Sequence, residues 1–326
     1  MTLRAGIVGI GAYLPEQVLT NEDLSKMVDT SDEWIRTRTG IRERRIAPRG
    51  TPTSALGTQA ALEALKHARL EPADVQAIIT ATTSPDMICP STACMIQHNI
   101  GASSAAAFDL LAACSGFVYA LNVARGLVVG RVYQRVLVVA AEVLSSMIDW
   151  QDRSTCVLFG DGAGAAVVAP VSRGGILSAV LGADGSCGDL LEIPAGGSRM
   201  PASHETVDQH LHALRMKGGE VFKWAVRRML EATEGALREA KLSINDIDCI
   251  IPHQANLRII DAVAERLAIA REKFFVNVDR RGNMSAASTI VALHEAVQQG
   301  RVKVGDTVLL ITFGSGFTWG AAVIEW

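Results

Sequence analysis

The sequence predicts an α/β protein built from two similar halves. Short apolar runs typical of strands alternate with longer segments whose apolar residues recur at helical spacing. Hydrophobic residues make up 49% of the 326 residues and aromatic residues only 5%, and much of the apolar content is Ala, Val, Ile and Leu, which suits buried parallel strands. Similar segments also recur in the same order along the chain, which indicates an internal duplication.

The repeated segments define the two halves. Residues 70–79 and 242–251 each follow a helical run and lead into a strand, 172 residues apart (242 − 70). The other two pairs are 159–168 with 313–324, and 107–111 with 276–279. Shared β/α patterns can also produce such matches by chance. We expect the halves to cover residues 1–172 and 173–326.

Each half is predicted to contain its own strands and helices. The predicted strands are 5–10, 77–81, 105–110, 135–140, 156–158, 165–168, 176–183, 249–251, 274–278, 307–312 and 321–324. The predicted helices are 54–68, 91–99, 115–129, 218–240, 255–267 and 285–299. The stretch 196–208 is rich in small and polar residues, so we expect an insertion or a mobile loop there.

Composition narrows the class of protein. No apolar run reaches the ~18 residues of a membrane span, and the first residues show a strand pattern rather than a signal peptide. A net charge of −3 gives no indication of nucleic-acid binding. The six cysteines show neither Cys-x-x-Cys nor zinc-site spacing. We therefore expect a cytoplasmic protein that is reduced and free of metal.

Cys114 is the most informative residue of the sequence. It follows a predicted strand and opens a predicted helix, so its sulfur lies at a helix N-terminus. The unpaired N–H groups and the positive dipole end there favour thiolate over thiol. This pattern is typical of a cysteine that accepts an acyl group. The alternative on this segment alone is a small buried hydrophobic residue.

Two polar residues of the second half complete a candidate site. His253 directly follows a buried strand, and Asn283 lies at the position equivalent to Cys114 (283 − 114 = 169). In α/β sheets ligands bind at the carboxyl ends of strands, and neutral His and Asn side chains offer N–H donors to an enolate oxygen. The alternatives are a structural hydrogen-bonding histidine and an asparagine N-cap. The glycine-rich turn around Ser315 offers backbone N–H groups, or is simply a tight turn.

These motifs resemble the β-ketoacyl-acyl-carrier-protein synthase III family of the thiolase-like superfamily. The similarity extends over essentially the whole chain and is carried by residues 30–34, 38–42, 113–117, 159–164, 252–258, 282–288 and 316–320. It implies a thiolase-like fold in which two duplicated α/β halves form a layered αβαβα sandwich, the first half carrying Cys114 and the second His253 and Asn283. It also implies a homodimer.

The resemblance implies a specific reaction. Cys114 takes the acyl group of an acyl-CoA primer, and backbone N–H groups of Cys114 and Ser315 form the oxyanion hole. His253 and Asn283 hold the thioester carbonyl of malonyl-acyl-carrier protein during decarboxylation. The products are 3-oxoacyl-acyl-carrier protein, CoA and CO2. This decarboxylative Claisen condensation initiates fatty acid biosynthesis and needs no cofactor.

Binding residues carry over from the family by position. Those implied for CoA and its pantetheine arm are Thr30, Trp34, Arg38, Arg153, Gly218 and Asn256. Trp34 and Arg153 would sandwich the adenine, although Trp34 could also be a half-buried core aromatic. Carrier protein is acidic, and the implied docking residues are Lys223 and Arg258. Further basic candidates are Lys217, Arg227, Arg228 and Arg266.

Some positions depart from the family pattern. Cys89 stands where members that prefer acetyl-CoA usually carry Phe, which walls off the acyl pocket across the dimer interface. A smaller side chain predicts a deeper pocket for longer or branched primers, unless Met87 or Ile88 compensates. Met284 replaces the family's usual Thr, and Ser315 replaces a Gly.

Two other functions remain open at this stage. One is acyl transfer to a different nucleophile, or priming of a secondary-metabolite pathway. The other is a non-catalytic scaffold that binds acyl-carrier protein, for which loss of the cysteine, histidine or asparagine would be expected. All three residues are present, which favours condensation.

Overall fold

The computed structural model describes residues 3–326, and strands and helices alternate along them. The strands are β1 (Arg4–Tyr13), β2 (Val18–Thr20), β3 (Glu43–Arg45), β4 (Ala77–Ala81), β5 (Ala106–Leu110), β6 (Val136–Glu142), β7 (Gly162–Val171), β8 (Gly175–Ala183), β9 (Leu191–Glu192), β10 (Arg215–Met216), β11 (Cys249–Pro252), β12 (Thr307–Gly314) and β13 (Thr318–Glu325). The helices are α1 (Asn21–Ser25), α2 (Asp32–Thr39), α3 (Thr53–Ala68), α4 (Thr92–Ile100), α5 (Gly116–Val129), α6 (Arg153–Cys156), α7 (His204–Asp208), α8 (Gly218–Ala240), α9 (Leu257–Leu267), α10 (Val278–Arg281) and α11 (Ala287–Gln298).

Two mixed sheets form the frame of the molecule. The first has strand order β1-β7-β6-β4-β5, with β4 parallel to both β5 and β6. The second has order β11-β12-β13-β8, with β11 parallel to β12. The predicted boundary between the halves, at residues 172 and 173, falls between β7 and β8; it stays a prediction.

Helices α5 and α11 form a layer between the sheets. One apolar cluster contains Phe117 and Leu121 of α5, Ile290 of α11, and side chains from both sheets such as Ile79 and Leu310. Ten consecutive residues of α11, from Ala287 to Ala296, are buried. A helix that is buried on all sides carries mostly small and apolar residues, and in α11 the ionisable exceptions, His294 and Glu295, lie near its C-terminal end.

The outer faces of the sheets are also covered by helices. Helices α3 and α4 pack on the first sheet through residues such as Leu56 and Ile96. Helices α8 and α9 pack on the second sheet through residues such as Met229 and Ile260. Together with the central layer this gives the αβαβα sandwich of the thiolase-like fold, as predicted. No helix of residues 3–326 has the length and apolar character needed to cross a membrane.

Two predicted strands are wrong. Residue 156 ends the one-turn helix α6, and residues 157 and 158 follow it. The helix begins here because the Asp152 side chain accepts a hydrogen bond from the backbone of Ser154 (2.9 Å). Residues 274–278 make only a single bridge, between Phe274 and Ile250. The Gln254 side chain accepts from the backbone N–H groups of residues 277 and 278, so they are not available to a strand.

Candidate active site

A cavity of about 440 Å³ brings the three candidate catalytic residues together. Cys114 lies in a 3-10 turn between β5 and α5, His253 directly follows β11, and Asn283 lies between α10 and α11. All three side chains line the cavity and are nearly buried, with exposures of 8%, 4% and 6%. Because β5 and β11 belong to different sheets, the site lies where the carboxyl ends of the two sheets meet.

The backbone around Cys114 is held in a tight arrangement. Ala113 has a positive φ of 46°, a conformation that costs an L-residue about 1 kcal/mol. A Cβ on Gly314 would lie 2.6 Å from the backbone nitrogen of Cys114, so only glycine fits there. The Gly-rich turn therefore packs directly against the nucleophile's backbone N–H.

The resting form of Cys114 is the thiol. Burial raises the pKa of Cys114 to about 12, although the Ser285 hydroxyl opposes this rise. Desolvation opposes the thiolate, whereas a helix N-terminus stabilises it by at most ~2 kcal/mol. Burial therefore favours the thiol in the unliganded protein, against the thiolate that the helix N-terminus favours. Attack on an acyl group requires a partner that accepts the thiol proton.

His253 is a neutral hydrogen-bond donor. Burial lowers the pKa of its imidazole to about 3. Among residues 3–326 neither ring nitrogen has a hydrogen-bond partner, although buried polar atoms are normally paired. The backbone N–H of His253 donates to the carbonyl of Ile311 (2.7 Å), which fixes the residue against β12. The side chain is thus positioned to bond a ligand within the cavity.

Replacing His253 by Gln is expected to make the protein less sensitive to acid. The imidazole pKa is 6.5 when unfolded and about 3 when folded, so the unfolded chain binds more protons as the pH falls. The buried neutral imidazole of His253 therefore contributes fully to the unfolding free energy above pH 6.5, and this contribution is lost as the pH falls toward 3. Between pH 7 and 5 the wild type should lose about 2 kcal/mol more unfolding free energy than the variant. Urea unfolding at both values measures this; equal losses would contradict a buried neutral imidazole.

Asn283 is fixed by its own backbone and by its neighbour. Its N–H donates to the carbonyl of Leu158 (2.8 Å), and its carbonyl accepts from Gly160 (2.9 Å). The side-chain Oδ1 accepts from the backbone N–H of Ser285 (2.8 Å). With Oδ1 occupied, the amide presents its NH2 group as a donor. His253 and Asn283 thus supply two N–H donors to one cavity.

The turn that carries Ser315 is tied to the nucleophile's loop. The Ser315 hydroxyl donates to the carbonyl of Leu191, which leaves only its backbone N–H for an oxyanion. The Thr318 hydroxyl bonds the carbonyls of Ala112 (2.9 Å) and Ser315 (3.0 Å). These bonds fix the position of the turn relative to the segment before Cys114. A two-donor oxyanion hole requires such a fixed arrangement.

The three residues implied for the CoA nucleotide lie together on the surface. The guanidinium carbons of Arg38 and Arg153 lie 4.6 Å and 5.0 Å from the centre of the Trp34 ring. The Asn256 side chain lines the cavity, caps α9 and donates to the carbonyl of Arg38 (3.1 Å). One hydrogen bond thus joins this aromatic cluster to the cavity wall. Trp34 contacts the core only at its edge.

Other predicted residues lie farther from the chemistry. Thr30 carries a buried hydroxyl without a partner among residues 3–326. Gly218 begins α8, close to Met216 of the cavity wall. Cys89 is exposed and does not line the cavity within this single chain. The structure therefore brings the catalytic set together but leaves the predicted acyl-pocket residue at the surface.

The predicted docking residues are exposed cations on two neighbouring helices. Lys223 of α8 pairs with Glu220. Arg258 lies in the first turn of α9, with its guanidinium 5.8 Å from the ring centre of Phe222. Arg228, a further basic candidate, is not available, because it stacks between Trp224 and Trp319 at 5.0 Å and 4.3 Å.

Sequence reasoning missed a polar network next to Cys114. Thr83 and Ser285 line the cavity, and the Thr83 hydroxyl also donates to the buried carboxylate of Glu142 (2.7 Å). The available signal was a single acidic residue at the end of the otherwise apolar strand β6. Such a residue at a strand's carboxyl end is a typical functional position.

Comparison with known proteins identifies relatives over the full length. Residues 108–185 match the family model "3-Oxoacyl-[acyl-carrier-protein (ACP)] synthase III", and residues 237–326 match its "C terminal" model. The chain is 56% identical to the beta-ketoacyl-[acyl-carrier-protein] synthase III of Caldanaerobacter subterraneus subsp. tengcongensis, covering 99% of this chain and 98% of that protein. It is 53% identical to the synthase of the same name from Clostridioides difficile, covering 100% and 99%.

Solved structures show the same similarity. The crystal structure of 3-oxoacyl-[acyl-carrier-protein] synthase III from Aquifex aeolicus VF5 aligns with a TM-score of 0.91 at 48% identity, over 99% of this chain and 100% of that one. The priming beta-ketosynthase from the R1128 polyketide biosynthetic pathway aligns with a TM-score of 0.91 at 37% identity, over 99% and 97%.

Proposed function

The chain belongs to the 3-oxoacyl-[acyl-carrier-protein] synthase III family, and we propose that Cys114, His253 and Asn283 carry out its reaction. The enzyme is an acyltransferase that condenses an acyl-CoA primer with malonyl-acyl-carrier protein and so initiates fatty acid biosynthesis. The observation that supports these residue roles is the shared cavity: a cysteine and two N–H donors line one apolar space.

In the first half-reaction Cys114 attacks the thioester carbonyl of the acyl-CoA. The carbonyl oxygen accepts hydrogen bonds from the backbone N–H groups of Cys114 and Ser315 as it becomes negative. CoA leaves, and the acyl group stays on the sulfur as a thioester. The apolar cavity wall around Leu144 and Met229 receives the acyl chain.

In the second half-reaction malonyl-acyl-carrier protein enters the same cavity. Neutral His253 and the Asn283 amide donate to its thioester carbonyl, which becomes an enolate when CO2 leaves. The carbanion attacks the acyl group on Cys114 and releases 3-oxoacyl-acyl-carrier protein. The thioesters supply the leaving groups and decarboxylation supplies the carbanion, so the scheme requires neither a metal nor a redox cofactor. The six cysteines are all free, as is usual in a reducing compartment, so we propose that the enzyme works in the cytoplasm.

The aromatic cluster of Trp34, Arg38 and Arg153 suits the CoA nucleotide. Adenine can stack between the planar groups of Trp34 and Arg153, while Arg38 meets the phosphates. The pantetheine arm then passes Asn256 and the start of α8 at Gly218, with Thr30 near the adenine.

Trp34→Ala is expected to raise the KM for acyl-CoA about tenfold, because one stacking contact contributes roughly 1–2 kcal/mol. The kcat should stay unchanged, since the ring does not reach Cys114. The same acyl group on pantetheine alone serves as the control substrate and should show no change. An equal loss with both substrates would contradict nucleotide stacking.

A second copy of the chain fits the edge of the first sheet. Strand β5 is an edge strand, and large apolar side chains are exposed on it and directly after it: Phe108 at 41% and Leu111 at 74%. Ile88, in the loop before α4, is 90% exposed. An apolar edge strand invites pairing with another strand, so we propose a homodimer that extends the sheet through β5. Lys223 and Arg258 provide the positive surface for the acidic carrier protein.

Cys89→Phe is expected to narrow the range of primers to acetyl-CoA. In the proposed dimer this residue reaches the acyl pocket of the second copy, where a Phe would shorten it. Turnover with octanoyl-CoA should fall about tenfold or more relative to acetyl-CoA, while Cys89→Ser, of similar size, should behave as wild type. Kinetics with acetyl- to decanoyl-CoA measure this. Strict acetyl preference in the wild type would contradict the deep pocket.

Intact-mass spectrometry tests the proposed function directly. The protein is mixed with a panel of acyl-CoAs and then with malonyl-acyl-carrier protein. We expect one acyl adduct on Cys114, which disappears as 3-oxoacyl-acyl-carrier protein forms. An adduct that persists would indicate transfer to another acceptor. The absence of any adduct would favour a non-catalytic scaffold that binds acyl-carrier protein.

A further inference from the structure

Glu142 is a buried carboxylate that the reaction scheme leaves unused. It ends β6 with no exposed surface, and among residues 3–326 no basic side chain pairs with it. Its oxygens accept from Thr82 Oγ1 (3.2 Å), Thr83 N (3.0 Å), Thr83 Oγ1 (2.7 Å), Ser84 N (3.1 Å) and Ser84 Oγ (2.7 Å). A buried carboxylate without a counter-charge is costly, which points to a functional reason for it.

The hydrogen bonds around Glu142 favour the carboxylate and oppose the rise in its pKa that burial causes. The Ser84 hydroxyl accepts from Val143 N (2.9 Å), and the Thr82 hydroxyl accepts from Ser84 N (3.1 Å). Each hydroxyl accepts through a lone pair there, so its single proton is available to Glu142. The carboxylate thus has donors on every side.

A chain of hydroxyls connects Glu142 to Cys114. Thr83 Oγ1 lies 2.7 Å from Glu142 Oε1 and 3.3 Å from Ser285 Oγ. Because the Thr83 proton points to the carboxylate, Ser285 donates to Thr83, which leaves a Ser285 lone pair free to accept from another donor. Ser285 and Cys114 line the same cavity, and the Ser285 hydroxyl lowers the pKa of the Cys114 thiol. The order is Cys114, Ser285, Thr83, Glu142.

We propose that Glu142 receives the Cys114 proton through Ser285 and Thr83 during acylation, and returns it when condensation frees the sulfur. Glu142 acts through its neighbours and is in this sense a positioning and proton-holding residue. The proposal rests on the proposed function, in which Cys114 becomes acylated. It adds the group that accepts the nucleophile's proton.

The proton transfers balance in both half-reactions. In acylation the Cys114 S–H bond breaks, the proton moves to Ser285, and each hydroxyl passes its own proton onward until Glu142 is a carboxylic acid. The sulfur bonds the acyl carbon, and CoA leaves as a thiolate that takes a proton from water. In condensation the C–S bond breaks as the C–C bond forms, and the proton returns along the same path. One water-derived proton is consumed overall, as loss of a carboxylate as neutral CO2 requires.

The alternative proton acceptor in the cavity is His253. Burial lowers the pKa of its imidazole to about 3, which makes it a weak base. Burial instead raises the pKa of Glu142, which makes that carboxylate a stronger base than an exposed one. The assignment leaves His253 to act as a donor to the enolate.

Glu142→Gln tests the proposal with a matched control. Gln keeps the shape of the side chain but cannot take a proton, so we expect acylation of Cys114 to slow about 10²-fold. Rapid mixing and mass spectrometry measure the acylation rate. Decarboxylation of malonyl-acyl-carrier protein without primer should stay close to the wild-type rate. Asp161→Asn is the control, since Asp161 is also a buried carboxylate that accepts from a loop, at Ser145 and Ala47. Acylation at the wild-type rate in Glu142→Gln, or equal slowing in both variants, would overturn the proposal.

A pair of threonine variants repeats the test without changing the carboxylate. Thr83→Val breaks the hydroxyl chain, whereas Thr82→Val removes a donor to the same carboxylate outside the chain. We expect slow acylation and a reduced solvent deuterium isotope effect only in Thr83→Val. Equal behaviour of the two variants would overturn the relay. If the wild type itself formed no acyl adduct, the proposed function would fail instead.

Discussion

Cys114→Ala is expected to abolish the acyl adduct and to reduce condensation by about 10⁴-fold or more, because Cys114 is the only thiol among the described residues that line the cavity. Decarboxylation of malonyl-acyl-carrier protein should continue, because the His253 and Asn283 donors remain in place. The variant therefore separates the two half-reactions. Mass spectrometry follows the first, and CO2 release without primer follows the second.

A second buried cysteine provides the control for this experiment. Cys249 of β11 is buried, and burial raises its pKa to about 11, yet it does not line the cavity. Cys249→Ala should keep the adduct and the condensation. An adduct that survived in Cys114→Ala would contradict the assignment of the nucleophile.

The sheet strands and longer helices could be predicted because burial imposes a regular apolar pattern on them. Residues 77–81 and 218–240 coincide with β4 and α8. The errors occur where a polar side chain competes for backbone hydrogen bonds, as Gln254 does at residues 277 and 278. The spacing of hydrophobic residues along the sequence gives no sign of such a competition.

The sequence could predict the catalytic residues of the candidate site but not the polar residues around them. Cys114 and His253 could be found because each follows the carboxyl end of a strand. Asn283 could be found because the internal duplication places it opposite Cys114, and the family motifs surround all three. The hydroxyl chain could not, since Thr83 lies 59 residues from Glu142 and 202 residues from Ser285 in sequence. Only the folded chain brings such distant polar residues together. The high pKa of the Cys114 thiol depends likewise on burial.

His253→Ala and Asn283→Ala are each expected to lower CO2 release from malonyl-acyl-carrier protein by about 10²–10³-fold, the usual effect of removing one oxyanion donor. Because both donors bond the same enolate oxygen, the double variant should lose less than the product of the two single effects. Release of CO2 after mixing the enzyme with malonyl-acyl-carrier protein measures this.

Acylation of Cys114 in the same variants decides which group accepts the thiol proton. If His253 is only a donor to the enolate, His253→Ala should still form the acyl adduct at a rate close to that of the wild type. Loss of acylation in His253→Ala would assign the proton to the imidazole and would contradict the role of Glu142. His294→Gln is the control, since His294 is also a buried histidine, bonded to Gln298 outside the cavity, and it should change neither half-reaction.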